Sequence, residues 1–154
     1  MPLKLLPFDN KNEVQVLIDM PESASLEYTA AVAREVANQV VRVPEVLTVA
    51  GFVGLPSPID FNGMVRRYYQ RQAPHLGELR LTLADKSQRD HQSHAVVLRL
   101  RQLLAPLNVD GIKIKVVEVP PGPPVLSTLV AEIYGDTFTE YSAQQAAAQI
   151  LMDR

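Results

Sequence analysis

The segment "EVQVLIDMPESASLEYTAAVAREVANQVVRVPEVLTVAGFVG", Glu13 to Gly54, changes its hydrophobic period twice. Val14, Val16 and Ile18 alternate with Glu13, Gln15 and Asp19, with Leu17 out of step. Period two predicts a half-buried strand, and Pro21 ends it. In the next stretch Val32, Val36, Val40 and Val43 share one face at helical spacing. This predicts an amphipathic helix, capped by Ser25, with Glu27 in its electropositive first turn and Pro44 as its stop. "EVLTVAGFVG" then reads as a second strand. "LPSPIDFNG" reads as a loop, with two prolines and a closing Asn62-Gly63.

Working outward, the plan is repeated. "GELRLTLADK" alternates Leu79, Leu81 and Leu83 against Glu78, Arg80 and Thr82. "RDHQSHAVVLRLRQLLAPL" places Val96, Leu100, Leu103 and Leu107 on one helical face. "GIKIKVVEV" alternates Ile112, Ile114 and Val116 with Lys113 and Lys115. Strand, helix, strand thus occurs twice. Right-handed crossovers place both helices on one face of a four-stranded antiparallel sheet. The expected class is α+β, a ferredoxin-like split βαββαβ sandwich, followed by an extra βα tail.

Composition narrows the function classes. The 154 residues are 47% hydrophobic and 21% charged, which suits one domain with or without part of another. A net charge of -2 argues against nucleic acid as a partner, since such domains carry a basic surplus. With no cysteine there is no disulfide framework and no thiolate metal site. No run approaches the roughly 18 apolar residues of a membrane helix, and "MPLKLLPFDN" lacks the apolar centre of a signal peptide.

Reactive groups are sparse. His91 and His94, three residues apart beside Asp90, have a spacing that can place two ligands on one face, but a solvated helix start is the expected reading. Asp9, Asp19 and Asp60 are scattered. No serine sits in a nucleophile elbow and no glycine-rich loop precedes a helix. "VRRYYQRQ", Val65 to Gln72, is read as a surface segment whose arginines pair with acidic neighbours, in preference to a base-stacking strip. No catalytic residue, metal site or cofactor is expected, and an enzyme is not.

Several longer segments carry a resemblance. "KLLPFDNKNEVQVLIDMPE", "VAGFVGLPSPIDFNGMVRRYYQ", "LADKSQRDHQSH" and "IKVVEVPPGPPVLSTLVAEIYG" occur in that order. They resemble the periplasmic porter region of resistance–nodulation–division (RND) efflux permeases, of the hydrophobe/amphiphile or heavy-metal type. The similarity runs from Lys4 to about Gly135 and is best to the loop after the first membrane helix of the permease's second half. One departure is "MPESAS", where Ser23 stands in place of the glycine more usual after "MPE".

The resemblance implies a domain plan and a role. Residues 11–119 would form one ferredoxin-like porter subdomain. Residues 120–124, "PPGPP", would make a stiff extended crossing, since proline fixes φ and donates no backbone hydrogen bond. Residues 125–154 would be the truncated start of the next subdomain, with "LSTLVAEIYG" its strand and "SAQQAAAQILMDR" its helix. The implied function is a periplasmic fragment of a proton-driven efflux transporter of the bacterial inner membrane, forming part of the substrate route. Implied partners are the permease's membrane helices and other porter subdomains, a homotrimeric assembly, a periplasmic adaptor and an outer-membrane channel. By position, the stretch from Gly51 to Gly63 matches a loop facing the substrate route, with Gly51, Phe52, Gly54, Phe61, Asn62 and Gly63 as candidate residues. The alternative is a stand-alone ferredoxin-like module that binds a small molecule or a partner.

Overall fold

A computed structural model describes residues 10–118, 131–136 and 138–152, and among these residues are four strands and four α-helices. The central strand β1, Glu13–Asp19, is flanked on both sides. It pairs antiparallel with β3, Leu76–Leu83, and with β4, Lys113–Glu118, and β3 pairs antiparallel with β2, Val46–Val53. The order is β2-β3-β1-β4. With helix α1, Leu26–Val40, between β1 and β2, and α3, Ser93–Leu104, between β3 and β4, this is the ferredoxin-like arrangement.

Register explains the core. Val14, Val16 and Ile18 of β1 lie opposite Leu81, Leu79 and Gly77 of β3, and all point to the helix side. Val36 and Val40 of α1 and Val96, Val97, Leu100 and Leu104 of α3 close over them. Ser25 caps α1, accepting a hydrogen bond from the Tyr28 backbone N–H at 3.2 Å. One sequence expectation shifts slightly. Leu104, not Leu103, enters the core, because Val97 and Leu104 complete the stripe begun by Val96 and Leu100. Leu103 is exposed.

The expected loop after β2 is partly helical. Residues 61–65 form a single-turn helix α2, Phe61–Val65, so Asn62-Gly63 lies inside a helix and not in a turn. The physical reason is Asp60, whose carboxylate accepts from the Gly63 N–H at 2.5 Å and caps the turn. A short 3-10 turn, Tyr68–Gln70, follows, entered through Arg67 at φ 57°. We call residues 54–75, between β2 and β3, the crossing.

Of the tail, residues 131–136 are not in a strand, and α4, Tyr141–Met152, forms where a helix was expected but buries none of its residues. The expected proline-rich segment 120–124 and the start of the tail strand, 125–130, lie outside the described residues. No helix among the described residues is long and apolar enough to cross a membrane.

Candidate functional site

An antiparallel sheet with helices on one face leaves its other face to water unless something covers it. Here the crossing covers part of it. Leu17, Glu78 and Phe52 lie in one row across β1, β3 and β2, on the face away from the helices. Leu17 and Glu78 are buried, although Leu17 stands apart from the main core cluster.

A polar network joins the crossing to this face. Glu78, 2% exposed, accepts through Oε1 from Gln15 Nε2 at 2.5 Å, Ser57 Oγ at 2.5 Å and Arg80 Nε at 3.2 Å. Arg80 also donates through Nε to Ser57 Oγ at 3.0 Å, through Nη1 to Asp60 Oδ2 at 2.6 Å and through Nη2 to the Pro58 carbonyl at 3.2 Å. Burial disfavours the Arg80 charge, but Asp60 and Glu78 outweigh it and hold the guanidinium more firmly protonated than usual. A buried carboxylate is costly unless paired and hydrogen-bonded; Oε1 meets both conditions, while Oε2 is buried with no hydrogen-bond partner among the described residues.

The far end of the crossing is tied down separately. Arg71 Nη2 donates to Asp19 Oδ1 at 2.6 Å and to the Ile18 and Gly77 carbonyls at 3.3 and 3.4 Å, while Lys115 reaches Asp19 Oδ2 at 3.1 Å. The expectation that arginines of "VRRYYQRQ" pair with acidic neighbours is met at Arg71.

This end predicts a pH response. Burial raises the Asp19 pKa, but Arg71 and Lys115 outweigh it and the net value lies below the usual 3.8. A depressed folded pKa means that the stabilisation is present above the unfolded value and is lost as pH falls through the folded one. Asp19→Asn is therefore expected to lower the melting temperature at about pH 7 and to weaken the further loss below about pH 4. Thermal melts of both proteins across that range test it; superimposed curves would show that the Asp19 contacts contribute nothing.

The candidate residues fall in different places. Gly51 lies within β2 and floors a groove of about 410 Å³ between that strand and α1, lined also by Ala30, Ala33, Ala37 and Leu79. Phe52 is half-buried on the opposite sheet face. Gly54, just past β2, has φ +75° and donates its N–H to Leu76 O at 2.8 Å. Asn62 and Gly63 face inward and are buried, whereas Phe61 is 64% exposed. Leu55, Ile59 and Met64 are also exposed, so the crossing is polar towards the sheet and apolar outward. The structure thus does not gather the six residues into one surface. It presents Phe61 outward and uses Gly54 and Gly63 to shape the backbone.

Sequence reasoning missed Ser57, Glu78 and Arg80, since the polar side of an alternating strand reads as solvent-facing. The available signal was Asp60 three residues before Gly63, a cap ahead of a short helix. The two histidines diverge: His91 Nδ1 lies 3.4 Å from Glu45 Oε1, and His94 Nδ1 lies 2.8 Å from Glu118 Oε2. Among the described residues no group of three or more His, Cys, Asp or Glu side chains is placed to hold a metal ion.

No protein-family profile matches the chain, and no curated protein matches its sequence. Among solved structures the fold is similar to that of a heavy metal efflux pump in two crystal forms. The TM-scores are 0.56 and 0.55 at 17% and 16% identity, each covering 73% of this chain. The chain spans 11% of the pump's length in both comparisons. The likeness is one of fold.

Proposed function

We propose that the chain is an extracytoplasmic porter subdomain of a proton-driven RND efflux transporter and forms part of its substrate route. The observation that carries this reading is the fold shared with an efflux pump over most of the chain. The segmental resemblance in sequence supports it independently. On this reading residues 11–119 are one porter subdomain, 120–124 the proline-rich link to the next, and 125–154 the beginning of that next subdomain. Membrane helices, further porter subdomains, a trimeric assembly, an adaptor and an outer-membrane channel are the partners it implies, at the periplasmic face of an inner membrane.

The route-facing element is the crossing, and Phe61 is its most suitable contact. Phe61→Ala in the complete transporter is expected to change susceptibility to some compounds by about 2–10-fold, equivalent to about 0.4–1.4 kcal/mol of apolar contact, with others unchanged. The measurement is growth inhibition by a panel of metals, dyes and detergents, normalised to membrane protein level. An unchanged profile would make the crossing a connector only. Proline at Gly54 or Gly63 does not serve this test. Gly54 needs positive φ, and Gly63 donates its N–H to the Asp60 cap.

The groove between α1 and β2 favours a second reading, a stand-alone module that binds a small apolar ligand there. Ligand-induced shifts confined to Ala33, Ala37 and Gly51 in NMR spectra of the chain would support it over transport.

A further inference from the structure

We propose that Arg80 is a positioning residue: it fixes the crossing over the sheet and so sets how the outward side chains Leu55, Ile59, Phe61 and Met64 are presented. The functional half of this proposal rests on the transport reading above; the structural half does not.

The geometry is that of a fork gripping a strap. Arg80 stands on the middle of β3, in a sheet row held on both sides by hydrogen-bonded strands. Its guanidinium meets three groups of the crossing within four residues: Ser57 Oγ, the Pro58 carbonyl and Asp60 Oδ2. Its contact to Glu78 Oε1 returns the grip to the sheet, and Ser57 bridges the same oxygen. A planar guanidinium presents its donors in a fixed fork, so several contacts define an orientation and not just a distance.

Asp60 passes that orientation on. One of its oxygens takes Arg80 and the other caps α2 at Gly63. In a single turn begun at Phe61, the capped end determines which residues face the sheet. Asn62 and Gly63 go in, while Phe61 and Met64 go out. The chain of dependence therefore runs from Arg80 to Asp60, to the α2 axis, and to the exposed apolar side chains. Arg71 pins the other end through a separate set of contacts, so losing Arg80 frees the α2 end without releasing the whole crossing.

The first arm of the test is amide hydrogen exchange on the 154-residue chain. Arg80→Ala leaves Glu78 buried beside an empty position, so Arg80→Ala/Glu78→Gln is made as well, to keep the sheet face neutral. Amides of Ser57 and of residues 59–66 are expected to exchange about tenfold faster in either variant, with β1 and β3 amides changing less than about twofold. Arg80→Lys keeps the charge but loses the fork, and is expected to leave that fast exchange largely in place. Equal acceleration in strands and crossing, no acceleration, or full restoration by lysine would each overturn the positioning role. The second arm is the compound profile of the complete transporter carrying the double variant. It is expected to shift for the same compounds as Phe61→Ala at unchanged membrane level. A uniform loss for all compounds, or no shift, overturns the link from Arg80 to selectivity. If deleting the transporter alters no compound's toxicity, the transport reading itself fails, and the exchange result still decides whether Arg80 holds the crossing.

Discussion

Leu100→Ala is expected to lower the unfolding free energy by about 2–5 kcal/mol, the range for removing a large buried aliphatic side chain and leaving a cavity. Leu100 is completely buried in α3, in the cluster shared by both helices and the inner face of β1 and β3. Its neighbours sit on regular elements and have little room to collapse into the space. Leu103, three residues on, supplies the control. The sequence stripe placed it in the core, but the structure exposes it, so Leu103→Ala is expected to stay within about 0.5–1 kcal/mol. Urea titrations of the three proteins decide the matter, with the midpoint shifted and the slope retained for Leu100→Ala. Equal effects from the two leucines would mean that α3 is rotated relative to the arrangement described above.

Gly54→Pro is expected to cost about 1.5–4.5 kcal/mol, combining backbone strain of about 1–3 with a lost hydrogen bond of about 0.5–1.5. Gly54 adopts φ +75°, whereas proline is confined near -65°. Proline also lacks the N–H that bonds to Leu76 O and closes the β2–β3 ladder where the crossing leaves it. Gly54→Ala separates the causes. It keeps the N–H but retains the strain of positive φ, and its Cβ would meet Leu26 Cδ1 at 2.7 Å, a flexible side-chain end. The expected order of melting temperature is wild type, then Gly54→Ala, then Gly54→Pro. Proline tolerated as well as alanine would show that the turn relaxes readily to another conformation.

The regular elements were legible because their periods are enforced by burial on one side only. Val14, Val16 and Ile18 alternate because the helices sit on that side of β1, and Leu79, Leu81 and Leu83 follow suit across the ladder. Leu17 was the one visible disagreement in β1. An out-of-step leucine in an alternating strand signals a second covered face, and Leu17 is buried there beside Glu78. Glu78 and Arg80 gave no such signal. A carboxylate and a guanidinium on alternate positions look alike in sequence whether they face water or each other under a strap. The crossing itself was read as plain loop because its prolines and its Asn-Gly pair are turn-like, while Asp60 acts from outside the helix it starts. Of the candidate site, the exposure of Phe61 followed from no periodicity at all. It depends on which way a single capped turn faces, which three-dimensional contacts decide.

The central position of β1 also has a consequence for the order in which the chain assembles. β1 emerges first in synthesis, yet both of its neighbours come late: Val16 waits for Leu79 and then for Val116. At about 5–20 residues per second the delay to the second partner is on the order of 10 s. Until β3 has emerged, a strand rich in valine and isoleucine has two unpaired edges, and one of them stays open until β4 follows. Nascent chains halted before β4 are therefore the species most prone to aggregate or to occupy a chaperone, and those halted after Glu118 are the first able to close the sheet.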